Sequence, residues 1–144
     1  MPQSYKQIVD KNTPKPPLLK NCIAAFLIGG FICLIGQGFY ELYLSFGMAD
    51  DLVKMLVSVT LIILGCLATA LGFYDKLAVI GGAGTHVPIT GFANAMLAPS
   101  LEFKTEGQIL GTASKMFIIS GPVIVFGILA GFIYGIWLLI YNLF

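Results

Sequence analysis

The sequence predicts an all-α integral membrane protein: three full transmembrane helices plus a broken, re-entrant helical hairpin. Three observations carry this. Of 144 residues, 58% are hydrophobic and 10% charged, with a mean hydropathy of +0.92. A soluble domain carries about 25% charged residues, so this chain could not cover a water-facing surface. Charge-free runs extend over 21–40, 55–74 and 116–144, and each reaches the ~20 apolar residues a membrane crossing needs. A fourth apolar segment, 77–101, is broken by Gly81, Gly82, Gly84, Pro88, Gly91 and Pro99, too many breakers for a continuous helix. The net charge of +1 without a Lys/Arg cluster gives no support to nucleic-acid binding. No P-loop, Rossmann pattern or nucleophile–base pair is present, so neither an enzyme nor a cofactor is expected.

Residues 1–17 form a polar leader in which Pro14, Pro16 and Pro17 stop a helix from running back. Pro16 or Pro17 suits the first position of a membrane helix, where a missing N–H costs nothing. Residues 18–144 are expected to form one membrane domain, with spans at about 21–40, 55–74 and 116–143. The first span is too long for a signal-peptide core and lacks a small-residue cleavage site. Lys6, Lys11, Lys15 and Lys20 precede it against Asp10 alone, whereas the following loop carries Glu41, Asp50, Asp51 and Lys54. The excess of lysine puts the N-terminus in the cytoplasm. Tyr40, Tyr43, Phe73, Tyr74, Tyr134, Trp137 and Tyr141 fall near the expected interfaces. Cys22, Cys33 and Cys66 lie in or at the edge of spans, without a CxxC or a histidine at ligand spacing, and are expected to serve as small packing residues rather than metal ligands.

The segment 77–101 can enter a membrane but cannot cross it as one helix; a re-entrant hairpin is preferred to a broken crossing, and the choice between them sets the side of the C-terminus. Irregular backbone survives at membrane depth only when protein buries it or water lines it. The expected solution is a short helix near 77–81, a loop through 82–89 and a second half-helix over about 90–98. Thr90 would cap that half-helix, leaving the N–H groups of Gly91, Phe92 and Ala93 toward the loop. Such a terminus suits a carboxylate or phosphate, and transporters use broken helices in this way. Thr85, His86 and Asn94 would add hydrogen bonds at the same depth. Gly82, Gly84, Thr85, His86, Pro88, Thr90, Gly91 and Asn94 are therefore the candidate lining of a solute path. The alternative is a glycine-rich loop that only packs beneath the bundle. His86, the sole histidine, makes no metal site by itself.

Residues 102–115 form an interfacial segment. Glu102 and Glu106, four apart, would share a helical face and make an acidic vestibule that attracts a cation such as calcium, pair with basic groups on another subunit, or form a solvated surface. Pro122 is expected to separate the third span from an interfacial helix over about 106–120. Gly127, Gly131 and Gly135 repeat every fourth residue, a ridge for close helix approach. Gly29, Cys33 and Gln37 make a similar stripe on the first span, with Gln37 a candidate interhelical hydrogen-bonder. Three spans cannot enclose a useful pore alone, so a homo- or hetero-oligomer in the lipid bilayer is expected.

Three stretches carry a resemblance: KPPLLKNCIAAFLIGGFICLIGQ (15–37), GFYDKLAVIGGAGTHVPITGFANAMLAPSLEFKTEGQILGTASKMF (72–117) and GPVIVFG (121–127). Together they resemble the AC- and AE-type membrane subunits of the stage V sporulation A (SpoVA) family of endospore-forming bacteria. The long Lys- and Pro-bearing leader favours the AC type. The resemblance implies a subunit of a channel in the spore inner membrane that moves dipicolinic acid, as calcium dipicolinate, into the forespore and releases it in germination. It also implies mechanosensitive behaviour, an AE-type membrane partner and a dipicolinate-binding AD subunit. It supplies no residue assignments, so the candidate residues above rest on the hairpin argument.

Overall fold

The computed structural model describes residues 17–143; the leader expected at 1–17 lies outside the described residues apart from Pro17. Among the described residues every regular element is helical. Helix α1 spans Leu18–Ser45 and α2 spans Asp50–Ala70. The hairpin follows as α3 (Tyr74–Gly81), a single helical turn α4 (Ala83–His86) and α5 (Ile89–Glu102). A 3₁₀ turn at Phe103–Glu106 and a π-helical turn at Gln108–Ala113 lead into α6, Ser114–Leu143.

Three helical stretches are long and apolar enough to cross a membrane: Leu18–Ser45, Asp50–Ala70 and Gln108–Leu143. At 28 residues, α1 is about 42 Å long, more than the ~30 Å of a hydrocarbon core. It continues through Tyr40 because no breaker appears before Gly47, whose φ of +74° closes the turn into α2. Asp50 and Asp51 occupy the first turn of α2, where carboxylates favour the helix dipole. Asp50 accepts hydrogen bonds from the Tyr40 hydroxyl and from Lys54, whose Nζ lies 2.6 Å away. Tyr43 and Thr60 hydroxyls meet at 2.8 Å, so α1 and α2 run antiparallel and are joined near the Gly47 turn. The second span ends at Ala70 rather than at 74, because Gly72 takes a φ of +67°.

The broken segment folds back against the first two helices. Thr90, in the first turn of α5, packs on Gly65 of α2, and Asn94, one turn later, bonds Thr69. Helix α5 therefore runs parallel to α2 and returns to the end of the bundle at which α2 finished and α3 began. Several local expectations are corrected. The stretch 82–89 is not an open loop but contains the turn α4. The second half-helix runs to Glu102 with Pro99 inside it, in a chain position where the 3₁₀ turn then takes over. Pro122 also lies inside α6, so no separate interfacial helix occupies 106–120. Glu102 ends α5 and Glu106 ends the 3₁₀ turn, so the two do not share an α-helical face.

Beyond Gly121, every described residue of α6 is exposed within the chain. The helix touches the rest only through its first turns: Met116 sits beside Met96 and Leu97 of α5, and Lys115 Nζ lies 3.8 Å from the centroid of the Phe103 ring. A Cβ on Gly127, Gly131 or Gly135 would meet no atom within 4 Å.

Candidate functional site

The hairpin tip is held against both long helices by missing side chains. Gly84 lies so close to α1 that a Cβ there would fall on Ala25, 2.7 Å from its carbonyl carbon and 2.8 Å from its Cα. Gly29, one turn further along α1, faces the Gly84 carbonyl in the same way, with a Cβ at 3.1 Å. On the other flank, a Cβ on Gly65 would lie 3.1 Å from the Thr90 backbone. Inside the tip, Gly91 is pressed against His86, where a Cβ would be 2.6 Å from the carbonyl oxygen. Backbone-to-backbone contact of this kind is what small residues permit between membrane helices. Gly82, with φ +47° and ψ −122°, makes the sharp bend from α3 to α4 that a side chain would resist. Ala25 and Gly29 stand seven and eleven residues into α1, so the tip sits about 10–17 Å along that helix.

Thr85, Thr90 and Asn94 are buried at the centre of this packing. Tyr74, at the start of α3 and 3% exposed, sends its hydroxyl to the Thr85 carbonyl at 2.7 Å and to Thr90 Oγ1 at 3.0 Å. A carbonyl can only accept, so the phenol proton goes to Thr85, and Thr90 supplies the proton of the second bond. Thr85 Oγ1 donates to the Gly82 carbonyl at 2.8 Å. Thr69 Oγ1 lies 2.8 Å from both the Gly65 carbonyl and the Asn94 amide oxygen. Among the described residues no buried side-chain nitrogen or oxygen lacks a partner, as low-dielectric burial demands.

The expected capping by Thr90 is corrected by this network. Helix α5 begins one residue earlier, after Pro88, and has no side-chain cap. The Thr90 hydroxyl is committed to Tyr74, and the Gly91 N–H donates to the Pro88 carbonyl at 2.8 Å. The expected trio of free donors at Gly91, Phe92 and Ala93 is thus not formed. Gln37 likewise bonds within its own helix, to Glu41 at 2.8 Å, rather than across to another.

His86 and Val87 point away from this centre and are exposed within the chain. Beside Val87 a groove of about 430 Å³ runs between α1 and the tip, lined by Gly29, Gly30, Cys33, Gly84, Val87 and Pro88. The hairpin brings Thr85, Thr90, Gly91 and Asn94 together as an interior. It leaves Gly82 and His86 on the rim, and Pro88 partly covered. Glu102 and Glu106 lie exposed at the hairpin base, near Lys104. Among the described residues no three His, Cys, Asp or Glu side chains gather as a metal site. Tyr74, Gly65 and Thr69 were not foreseen. Their signal in the sequence is weak, since Tyr74 has the position of an interfacial aromatic and Gly65 and Thr69 are ordinary span residues.

No solved structure matches this chain. The family model described as SpoVAC/SpoVAEB sporulation membrane protein matches residues 21–137, which includes all but the first three residues of α1, all of α2 and the whole hairpin. Stage V sporulation protein AC of Bacillus subtilis (strain 168) is 45% identical over 134 residues, covering 92% of this chain and 89% of that protein. The chain belongs to the SpoVAC/SpoVAEB family of sporulation membrane proteins.

Proposed function

We propose that this chain is a channel subunit for dipicolinate, taken into the developing spore as the acid or its calcium chelate and released in germination. The hairpin tip borders the solute path, and His86 is the polar side chain that faces it. One observation supports this above the rest: His86 is exposed at the bend of the broken segment, two residues from Gly84, which packs on Ala25 in the interior of α1. Polar residues at such depth face a water-filled cavity or a protein neighbour rather than lipid. The solute class comes from the family resemblance and suits an imidazole that can hydrogen-bond a carboxylate. The uncovered surface of α6 supports assembly with further copies or with AE-type subunits, and the AD-type subunit would supply dipicolinate binding. The membrane is the spore inner membrane, with the N-terminus cytoplasmic and opening coupled to tension. The test is dipicolinate efflux from vesicles holding this chain together with its AE-type partner, with and without osmotic downshift. His86→Ala should change flux at unchanged assembly, and normal flux in that variant would overturn the assignment.

A second reading is favoured by the closed hydrogen-bond network. Thr85 and Thr90 are bonded through Tyr74, and Asn94 through Thr69, which is what a hairpin needs if it serves as a scaffold for the other subunits. Cysteines placed at 82–88 decide between the two. Labelling by a membrane-impermeant thiol reagent supports a solute path, and protection throughout supports the scaffold.

A further inference from the structure

We propose that Tyr74 is a positioning residue that latches the hairpin tip shut and so sets where His86 stands; as a statement about gating this rests on the channel reading above. The tip turn α4 has four residues and is joined to its neighbours through two backbone bends. Gly82 bends with φ +47° on one side, and Pro88 with φ −63° and ψ 160° on the other. A unit this short has little stability of its own. Its internal bonds, Thr85 N–H to the Gly82 carbonyl at 3.1 Å and Val87 N–H to the Ala83 carbonyl at 3.0 Å, do not fix its orientation relative to α3 or α5.

The Tyr74 oxygen does. It starts at the base of α3, passes through the buried centre, and joins the last part of α4 (Thr85) to the first turn of α5 (Thr90). One buried atom thus ties the outgoing limb, the tip and the returning limb. Without it, the Thr85 carbonyl and the Thr90 hydroxyl are left in an apolar centre with no partner, a penalty the tip relieves by rotating about Gly82 and Pro88. His86 follows Thr85 directly, so any such rotation moves the imidazole. The groove beside Gly84 and Val87 supplies room for the movement.

Tyr74→Phe removes the oxygen and keeps the ring. Hydrogen exchange on the full chain in lipid nanodiscs reads the latch without any flux. The amides of Thr85, Val87 and Gly91 should exchange about tenfold faster in Tyr74→Phe, while those of the α1 and α2 interiors keep their protection. Unchanged exchange at those three amides overturns the proposal, and so does equal acceleration throughout the chain, which would mean general loosening. Thr90→Val keeps the phenol–Thr85 bond and should give a smaller acceleration, about threefold. That variant decides the matter if Tyr74→Phe fails to insert. The double variant should exchange no faster than Tyr74→Phe alone, since both remove the same bond.

Single-channel recording then separates latch from lining. Tyr74→Phe should raise the open fraction several-fold at unchanged unit conductance, whereas altered conductance at an unchanged open fraction overturns the latch. If the wild-type chain with its partners carries no current, the channel reading falls, and the exchange experiment alone decides the positioning role.

Discussion

Replacing Gly84 by alanine tests how the tip is held. Gly84 does not occupy a left-handed conformation, so alanine meets no backbone penalty there, and its higher helix propensity favours the variant by about 1 kcal/mol. The cost is steric. The new methyl would stand 2.7 Å from the Ala25 carbonyl carbon, where ordinary contact begins at 3.4 Å. Both partners are backbone and cannot rotate aside, and the Ala25 carbonyl oxygen stands closer still, so α4 must retreat from α1 by more than the carbonyl-carbon overlap alone. Forced overpacking of this kind costs typically 1–3 kcal/mol, and the retreat also loosens the contact between Gly29 and the Gly84 carbonyl. A net destabilisation of about 1–2 kcal/mol is expected, concentrated in the hairpin. Gly30→Ala is the control: nothing stands within 4 Å of its Cβ, and it should be neutral or slightly stabilising. The assay is hydrogen exchange of the 82–94 amides, with thermal unfolding in the same detergent. Equal behaviour of Gly84→Ala and Gly30→Ala would refute the idea that backbone contact with α1 seats the tip.

Other outcomes follow from the same geometry. Asn94→Ala leaves the Thr69 hydroxyl bonded to Gly65 but empties its second contact; a loss of about 1–2 kcal/mol is expected in thermal unfolding. Thr69→Val combined with Asn94→Leu should cost less than the two single changes added together, because both partners become apolar. Gly131→Leu touches nothing within the chain. It should leave the monomer's unfolding unchanged while lowering the proportion of higher oligomers seen by crosslinking in membranes. Lys115→Gln removes the cation from the Phe103 ring and should weaken the junction between the hairpin and α6 by about 0.5–1 kcal/mol.

Much of the architecture was legible because membrane burial writes itself in long apolar runs. Three spans and an interrupted fourth segment follow from where charges and helix breakers fall, and the structure has them. What the sequence could not disclose depends on neighbours brought together by the fold. Tyr74 has the position of an interfacial aromatic, and only the return of α5 beside α2 turns its hydroxyl into a buried bridge. Thr90 has the pattern of a cap, yet Pro88 already supplies the extended residue that starts α5, which frees the threonine for Tyr74. Pro99 and Pro122 look like breakers, but each is carried within a helix. In α5, Ser100 Oγ donates to the Met96 carbonyl at 2.6 Å, and its own carbonyl accepts from Thr112 at 3.3 Å. The glycines divide in an instructive way. Gly29 and Gly84 meet within the chain, whereas Gly127, Gly131 and Gly135 meet nothing, although spacing alone treats both sets alike.

The central claim is that His86 faces the path that dipicolinate takes. It is tested most directly in a chain whose Cys22, Cys33 and Cys66 are replaced by alanine and whose His86 is replaced by cysteine. This chain is assembled with its partner subunits in vesicles, and a membrane-impermeant thiol reagent is added while dipicolinate flux is followed. The account predicts that residue 86 is labelled and that labelling blocks flux, with dipicolinate slowing the labelling. Labelling that leaves flux intact, or flux that proceeds while residue 86 stays protected, would contradict it.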